Sequence, residues 1–325
     1  MSAALFDPSA DPARVAAIQQ RLLAWFAANA RDLPWRRTRD PYQILVSEVM
    51  LQQTQVDRVL PKYAAFLAAF PTLETLAAAP IAEVIRLWAG LGYNRRAVNL
   101  QRTAMAVRDE HGGQFPRTPE ALLKLPGIGP YTAGAIACFA FEQEVAFMDT
   151  NIRRALRRAL LGPDEAPLPS ERSLLALALA VVPAGQGWAW NQAIMELGAL
   201  ICTAAAPACW RCPIRSECRS YATRLQADEQ LFAGQALAYS PAPRPLRKVA
   251  ERREEPYAGS RRYYRGRIIE ALRPLAPGTT LSLSQLGPLV KPDYAEADEA
   301  WLRELTESLV RDGLMVIETP GVRLP

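Results

Sequence analysis

Four of the chain's five cysteines stand within 17 residues, in the order Cys202-x6-Cys209-x2-Cys212-x5-Cys218. This cluster constrains the fold more than any other feature, because four thiols that act together force the segment to wrap a common centre. In a cytosolic chain, packed cysteines mean metal far more often than disulfides. Zinc usually takes two Cys-x2-Cys pairs, and this chain has one. Four thiolates in so short a stretch also suit one compact iron–sulfur cluster. Spacing alone leaves zinc and cluster both open. The fifth, Cys138, lies in the apolar stretch 135–141 and reads as inert core.

The 325 residues suggest about two domains, and a chain that is 50% hydrophobic and 22% charged is ordinary globular matter. The longest apolar run, Leu174 to Ala184, is about half of the roughly 20 residues that a membrane helix needs. No basic segment followed by an apolar one opens the chain, so a cytoplasmic protein is expected, with no membrane partner. Of the 38 basic residues only Lys62, Lys124, Lys248 and Lys291 are lysines. Arginine favours planar contacts to phosphates and base edges, although a GC-rich genome accounts for the bias equally well. Residues 241–270 hold nine basic and four acidic side chains, a net charge equal to the +5 of the whole chain. A basic connector of this kind hints at a polyanionic partner.

Apolar residues recur at helical spacing in Val15–Ala28, Tyr42–Tyr63, Ile81–Leu91, Ala97–Val107, Ala121–Leu125, Thr132–Phe141, Ile152–Leu161 and Trp190–Cys202. The breaks between them carry Pro, Gly or Asp. No strand alternation competes before the C-terminus, so the main body is expected to be all-α. Residues 238–260 are rich in Pro and Arg and read as a linker. Helices at Tyr263–Leu272, Leu281–Leu289 and Glu296–Arg311 follow, and then a hairpin of Leu314–Glu318 and Val322–Leu324, the order of a winged helix.

Three places carry candidate chemistry. Leu125-Pro126-Gly127-Ile128-Gly129-Pro130-Tyr131 joins two helices. Its glycines permit a tight turn and leave N–H groups bare at a helix start, where a DNA phosphate can dock; a plain helix connector looks the same. Asp149 precedes an arginine-rich helix, where a helix N-cap is the commonest role for aspartate. Glu48 has Ile44, Leu45, Leu51 and Gln52 as helical neighbours. A carboxylate on such a face is desolvated, which keeps it protonated nearer neutral pH and suits a general acid. A buried glutamate paired with an arginine fits that face as well.

Taken together, these stretches resemble the adenine DNA glycosylase (MutY) family of the helix-hairpin-helix DNA glycosylase superfamily. The match is carried by Leu33–Arg36, Ser47–Val56, Gly90–Tyr93, His111–Gly113, the Leu125–Tyr131 turn, Asp149–Asn151, Asn191–Ala199 and the four cysteines. They run in family order across about residues 14–220. The resemblance implies a mainly helical fold of two lobes, with residues 1–40 plus 149–220 forming an iron–sulfur lobe and 41–148 a helical barrel carrying the hairpin. A basic linker at 221–262 and a winged-helix-like module at 263–325 complete the expected organisation.

The resemblance also implies one [4Fe–4S] cluster on Cys202, Cys209, Cys212 and Cys218. The expected partner is double-stranded DNA with a mismatched or oxidised base pair, bound by a monomer. An adenine flipped out of the duplex would be excised. Glu48 would protonate the departing base, Asp149 would stabilise the positive charge growing on the sugar, and Asn151 would support Asp149. Arg36 and Glu196 match positions that hydrogen-bond the flipped adenine. Gln52 and Tyr93 match residues that wedge into the base stack, and Gly127 and Gly129 would hold phosphate. Tyr131 stands where bifunctional relatives carry a lysine nucleophile. A phenol forms no Schiff base, so excision without strand cleavage is expected.

Two features depart from the family. About 60 residues follow the linker, too few for the β-rich domain that senses 8-oxoguanine in the best-known members, and the single histidine, His111, lies in the catalytic region. Thr150 stands where many members have Gly. The C-terminal module is a candidate DNA contact through Arg261, Arg262, Arg265 and Arg267; a small packing module is the structural alternative. A thymine or uracil mismatch glycosylase on the same scaffold and a noncatalytic DNA-damage binder are the competing readings.

Overall fold

The computed structural model describes residues 11–164, 169–232 and 257–325. Most of the Pro- and Arg-rich linker at 238–260 lies outside these residues. Among the described residues the fold is mainly helical, with one two-stranded sheet near the C-terminus. The chain forms two compact units, Met1–Arg36 with Ala133–Ala250 and Arg37–Thr132 with Glu251–Pro325.

In the first unit, α1 (Pro12–Asn29) starts at Asp11, whose carboxylate accepts from Arg14 N, with Pro12 in the first turn. Its buried residues Val15, Ile18, Leu22 and Phe26 fall at spacings of three and four, so one stripe faces inward. The stripe packs on α11 (Gly187–Leu200), which also lies against α9 (Thr150–Leu156). Gly198 makes the α9–α11 approach possible. A Cβ there would sit 2.8 Å from the Asn151 Cβ and 2.9 Å from its carbonyl oxygen. A wide helical turn, Arg157–Leu161, continues α9, and α10 (Glu171–Ala180) and α12 (Arg219–Phe232) complete the unit.

The second unit holds α2 (Pro41–Leu51), α3 (Val56–Ala69), α4 (Leu73–Ala78), α5 (Ile81–Leu87), α6 (Arg95–His111) and α7 (Pro119–Leu122). Asp40-Pro41 and Thr118-Pro119 repeat the cap-then-proline start of α1. The stretch Tyr42–Tyr63, expected as one helix, is broken at Gln52–Gln55, where Gln53 takes a left-handed φ of 54°. Arg96 braces the break. One guanidinium nitrogen donates to the carbonyls of Val49 (2.8 Å), Met50 (3.1 Å) and Gln52 (2.6 Å), and the other to Thr54 Oγ1 and the Leu91 carbonyl. These bonds satisfy carbonyls that the end of α2 leaves unpaired.

The C-terminal module belongs to this second unit. It runs α13 (Arg261–Leu272), an isolated bridge at Leu281, α14 (Leu283–Val290), α15 (Glu299–Arg311), β1 (Val316–Glu318) and β2 (Gly321–Arg323). β1 and β2 pair antiparallel with Ile317 opposite Val322, and Leu281 bridges Val322 on the other side, so the winged-helix order is present. The module shares its core with α5 and α6. Ile268, Ile269, Leu272, Leu309 and Leu314 cluster with Ala82, Ile85 and Val98. Arg273 adds polar ties, donating to the Ile85 carbonyl (3.2 Å) and to Asn94 Oδ1 (2.8 Å).

Candidate active site and cysteine cluster

In the second unit Glu48 sits on α2 among Ile44, Leu45, Val49 and Met50 and is 4% exposed. Glutamates are rarely buried this deeply, so the position is built for something other than solubility. The hairpin turn is seated on α6: Thr103 Oγ1 donates to the Pro126 carbonyl at 2.6 Å. Gly127 has φ 79°, and a Cβ on it would stand 2.7 Å from the Asn99 Cβ. Gly129 faces open space, and α8 (Pro130–Phe139) begins immediately after it, with Tyr131 half-buried in its first turn. Lys124 is exposed on the turn that precedes the hairpin.

Tyr93 is 47% exposed and, like Gln53, has a left-handed backbone (φ 45°). Both side chains line one groove in this unit. Gln52, expected as the wedge partner of Tyr93, is not among the groove residues; it gives its carbonyl to Arg96 instead. Gln53, and not Gln52, therefore lines the same groove as Tyr93. Arg96 itself was not legible as a site residue. Burial lowers its pKa to about 10, and its guanidinium stacks on both Trp88 and Tyr93.

In the first unit, Asp149 caps α9: one carboxylate oxygen accepts from Ile152 N (2.7 Å) and the other from Asn151 Nδ2 (3.1 Å). The N-cap and the Asn151 support are thus parts of one arrangement. Asn151 in turn accepts from Arg154 Nη2 (2.7 Å), and Arg154 reaches on to the carbonyls of Gly198 and Cys202.

Arg36 and Glu196 also come together here, but with each other. Glu196 is fully buried and accepts from Arg31 Nε (2.8 Å), Arg31 Nη2 (2.7 Å), Arg31 N (3.1 Å) and Arg36 Nη2 (2.8 Å). Arg36 also donates to Gln192 Oε1 (2.8 Å) and to the Arg31 carbonyl (2.9 Å) and lies over the Phe26 ring. Burial opposes the charge on Glu196, yet the hydrogen bonds from Arg31 and Arg36 prevail and hold its pKa at about 2. With four donors on two oxygens, this carboxylate is committed to the two arginines. Arg31 is the member of this network that the sequence did not single out.

The four cysteines line one cavity, with Arg158, Ile201 and Ile214 among its other walls. Burial raises the Cys212 thiol to about 12 and also raises Cys218, with the neighbouring cysteines adding to both shifts. Among the described residues no three His, Cys, Asp or Glu side chains converge to hold a single metal ion. Arg158 fastens the segment by donating to the Thr203 carbonyl (2.8 Å) and pairing with Asp164. Cys138 is fully buried against Asn191, as a core residue should be.

With this geometry in place, comparison with known proteins is decisive for kinship. Residues 46–178 match the HhH-GPD superfamily of base excision DNA repair proteins. The chain is 41% identical to an adenine DNA glycosylase of Mycolicibacterium smegmatis, over 90% of this chain and 91% of that one, so the likeness runs into the C-terminal module. It is 44% identical to the human adenine DNA glycosylase over 71% of this chain and 44% of the human one. Among solved structures, a thermostable thymine-DNA glycosylase matches with a TM-score of 0.62 at 32% identity, over 67% of this chain and all of that chain. An endonuclease III–DNA complex shares the fold with a TM-score of 0.56 at 23% identity. The chain belongs to the adenine DNA glycosylase family, within the HhH-GPD superfamily of base excision DNA repair proteins.

Proposed function

We propose that the protein excises adenine mispaired with 8-oxoguanine or guanine in duplex DNA, without cutting the strand. The observation that carries this reading is the buried carboxylate Glu48 on an apolar helix, in a chain 41% identical to an adenine DNA glycosylase over nearly all its length. Glu48 acts as general acid and passes its proton to a ring nitrogen of the departing adenine. The C1′–N9 bond then breaks, its electron pair leaves with a neutral base, and C1′ is left cationic. The Asp149 carboxylate, held by Ile152 N and Asn151, stabilises that cation until water adds to C1′ and releases a proton. Tyr131 lies at the start of α8 and offers no amine, so no Schiff base forms and the backbone survives.

Arg36 supplies the adenine contact in this reading, and Glu196 acts through it by fixing its guanidinium. Gly127 and Gly129 present the hairpin N–H groups to a phosphate. The wedge is Tyr93 with Gln53.

Cys202, Cys209, Cys212 and Cys218 hold one [4Fe–4S] cluster. The Cys212 and Cys218 thiols, raised by burial and by the neighbouring cysteines, stay protonated unless cationic iron holds their charge. What supports the reading is that all four cysteines line one cavity. When bound, the cluster would cross-link the 202–218 loop and offset the charge of its four thiolates. Iron and sulfide analysis of the purified protein, with visible absorbance, tests this assignment.

A thymine or uracil mismatch glycosylase is the second reading, favoured by the likeness to the thymine-DNA glycosylase structure. A single-turnover assay on A:8-oxoguanine, A:G, T:G and U:G duplexes separates the two. Release of adenine alone supports the proposal, and release of thymine or uracil alone overturns it. A noncatalytic binder would release no base from any duplex.

A further inference from the structure

We infer that the C-terminal module forms one wall of a DNA-backbone site, and that Arg262 is its phosphate ligand. The inference rests on the DNA-repair reading above. The site is a groove of about 850 Å³ within the second unit, between the loop that carries Tyr93 and the face of α13. Six arginines line it against two carboxylates, and both carboxylates are already engaged. Asp312 pairs with Arg95 and Arg265, and Glu270 pairs with Arg273. The remaining surface is cationic and partly aromatic, the composition that tracks a nucleic-acid backbone while offering rings to bases or sugars.

The structure distinguishes among the four arginines of α13. Arg261 pairs with Glu304 at 2.6 Å, Arg265 with Asp312 and Ser308, and Arg267 with Tyr263 and the Leu289 carbonyl. Arg262 has no carboxylate partner among the described residues. Its guanidinium lies 5.6 Å from the Tyr93 ring centroid and 5.0 Å from that of Tyr257, and one nitrogen donates to Tyr93 Oη at 3.0 Å. Arg262 is exposed, as is Tyr257, so the head group is presented to solvent between two rings. A guanidinium placed between two tyrosines with one nitrogen on Tyr93 Oη keeps other N–H donors for a bidentate acceptor, and a phosphodiester is the acceptor it suits. Tyr93 and Gln53, two of the three non-glycine left-handed residues among those described, line the same groove. Held strain of this kind marks surfaces kept for function rather than stability.

Equilibrium binding of the full-length protein to a short duplex, measured from about 50 to 200 mM salt, tests the inference. Each phosphate contact contributes about 0.9 to the slope of log K against log salt. Arg262→Ala is expected to lower the slope by about that amount and to weaken binding roughly three- to tenfold at the upper salt concentration. Arg262→Lys keeps the charge and is expected to recover most of the slope. Arg261→Ala removes the same charge one residue away from a side chain already paired with Glu304, and is expected to leave the slope unchanged. Unaltered thermal midpoints confirm that the variants fold.

An unchanged slope in Arg262→Ala overturns the inference, as does an equal fall in Arg261→Ala, which would mean diffuse charge rather than a built site. Binding to a fully paired duplex needs no base excision. A lost slope together with no adenine release by the wild type would sink the functional reading and keep the groove. Adenine release together with an unmoved slope would do the reverse.

Discussion

Replacing Glu196 with glutamine removes the charge on which two arginines converge while keeping the side-chain shape. Arg36 is 9% exposed and Arg31 34%, so the Arg36 guanidinium loses the counter-charge of Glu196 in a dry setting. Breaking a buried pair by removing one partner typically costs about 3–5 kcal/mol, and the partial exposure of Arg31 points to the lower end, about 3 kcal/mol. The acid–base behaviour leads to the same size. A carboxylate held at about 2 in the folded protein instead of the ordinary 4.5 carries roughly 3 kcal/mol of charge-dependent stability. The folded pKa is depressed. The stabilisation is therefore complete above the unfolded pKa and is lost as pH falls from about 4.5 towards 2, with about 1 kcal/mol gone by pH 3.5. Urea unfolding of wild type and Glu196→Gln at pH 7 and pH 3.5 measures both quantities. The gap between them is expected near 3 kcal/mol at neutral pH and narrower by about 1 kcal/mol in acid. A gap below 1 kcal/mol at pH 7, or one that widens in acid, would refute the claim that Glu196 is spent on Arg31 and Arg36.

Arg96→Ala strips the donors from three carbonyls at the end of α2 and from the loop at Leu91; a loss of about 3 kcal/mol in urea unfolding is expected. Gly127→Ala forces a Cβ against Asn99 at a left-handed backbone. A loss of about 1–2 kcal/mol together with weaker duplex binding is expected, whereas unchanged binding would detach the hairpin from DNA. Truncation before Tyr257 uncovers Ala82, Ile85 and Val98, so the shortened protein should aggregate or melt well below the full chain; an unchanged melting midpoint would make the module an independent appendage.

The parts of the site that rest on local pattern were legible in the sequence. Glu48 is buried because three of its four i±3 and i±4 neighbours, Ile44, Leu45 and Leu51, are apolar, and that spacing is visible in the sequence. Asp149 caps α9 because the apolar stretch before it ends where an arginine-rich helix begins. The caps and prolines at Pro12, Pro41 and Pro119 likewise sit where helices start. What could not be read depends on partners distant in sequence. Glu196 meets Arg31 across 165 residues, and no periodicity announces such a pair. The break after Leu51 contains neither Gly nor Pro. Its cause is Arg96, some 44 residues on, which takes up the carbonyls that another helical turn would have used. That Gln53 rather than Gln52 lines the groove was equally out of reach, because the left-handed turn at Gln53 lies in this break. The four arginines of α13 look equivalent in sequence, and only their partners in the fold tell them apart: Glu304 for Arg261, Asp312 for Arg265, Tyr263 and the Leu289 carbonyl for Arg267.

The most direct test of the account is single-turnover release of adenine from an A:8-oxoguanine duplex by wild type and Glu48→Gln, with strand cleavage scored before and after alkali. The account requires wild-type cleavage that appears only after alkali, and a Glu48→Gln protein that binds the duplex yet releases no adenine. Strand scission without alkali, or adenine release by Glu48→Gln at the wild-type rate, would contradict it.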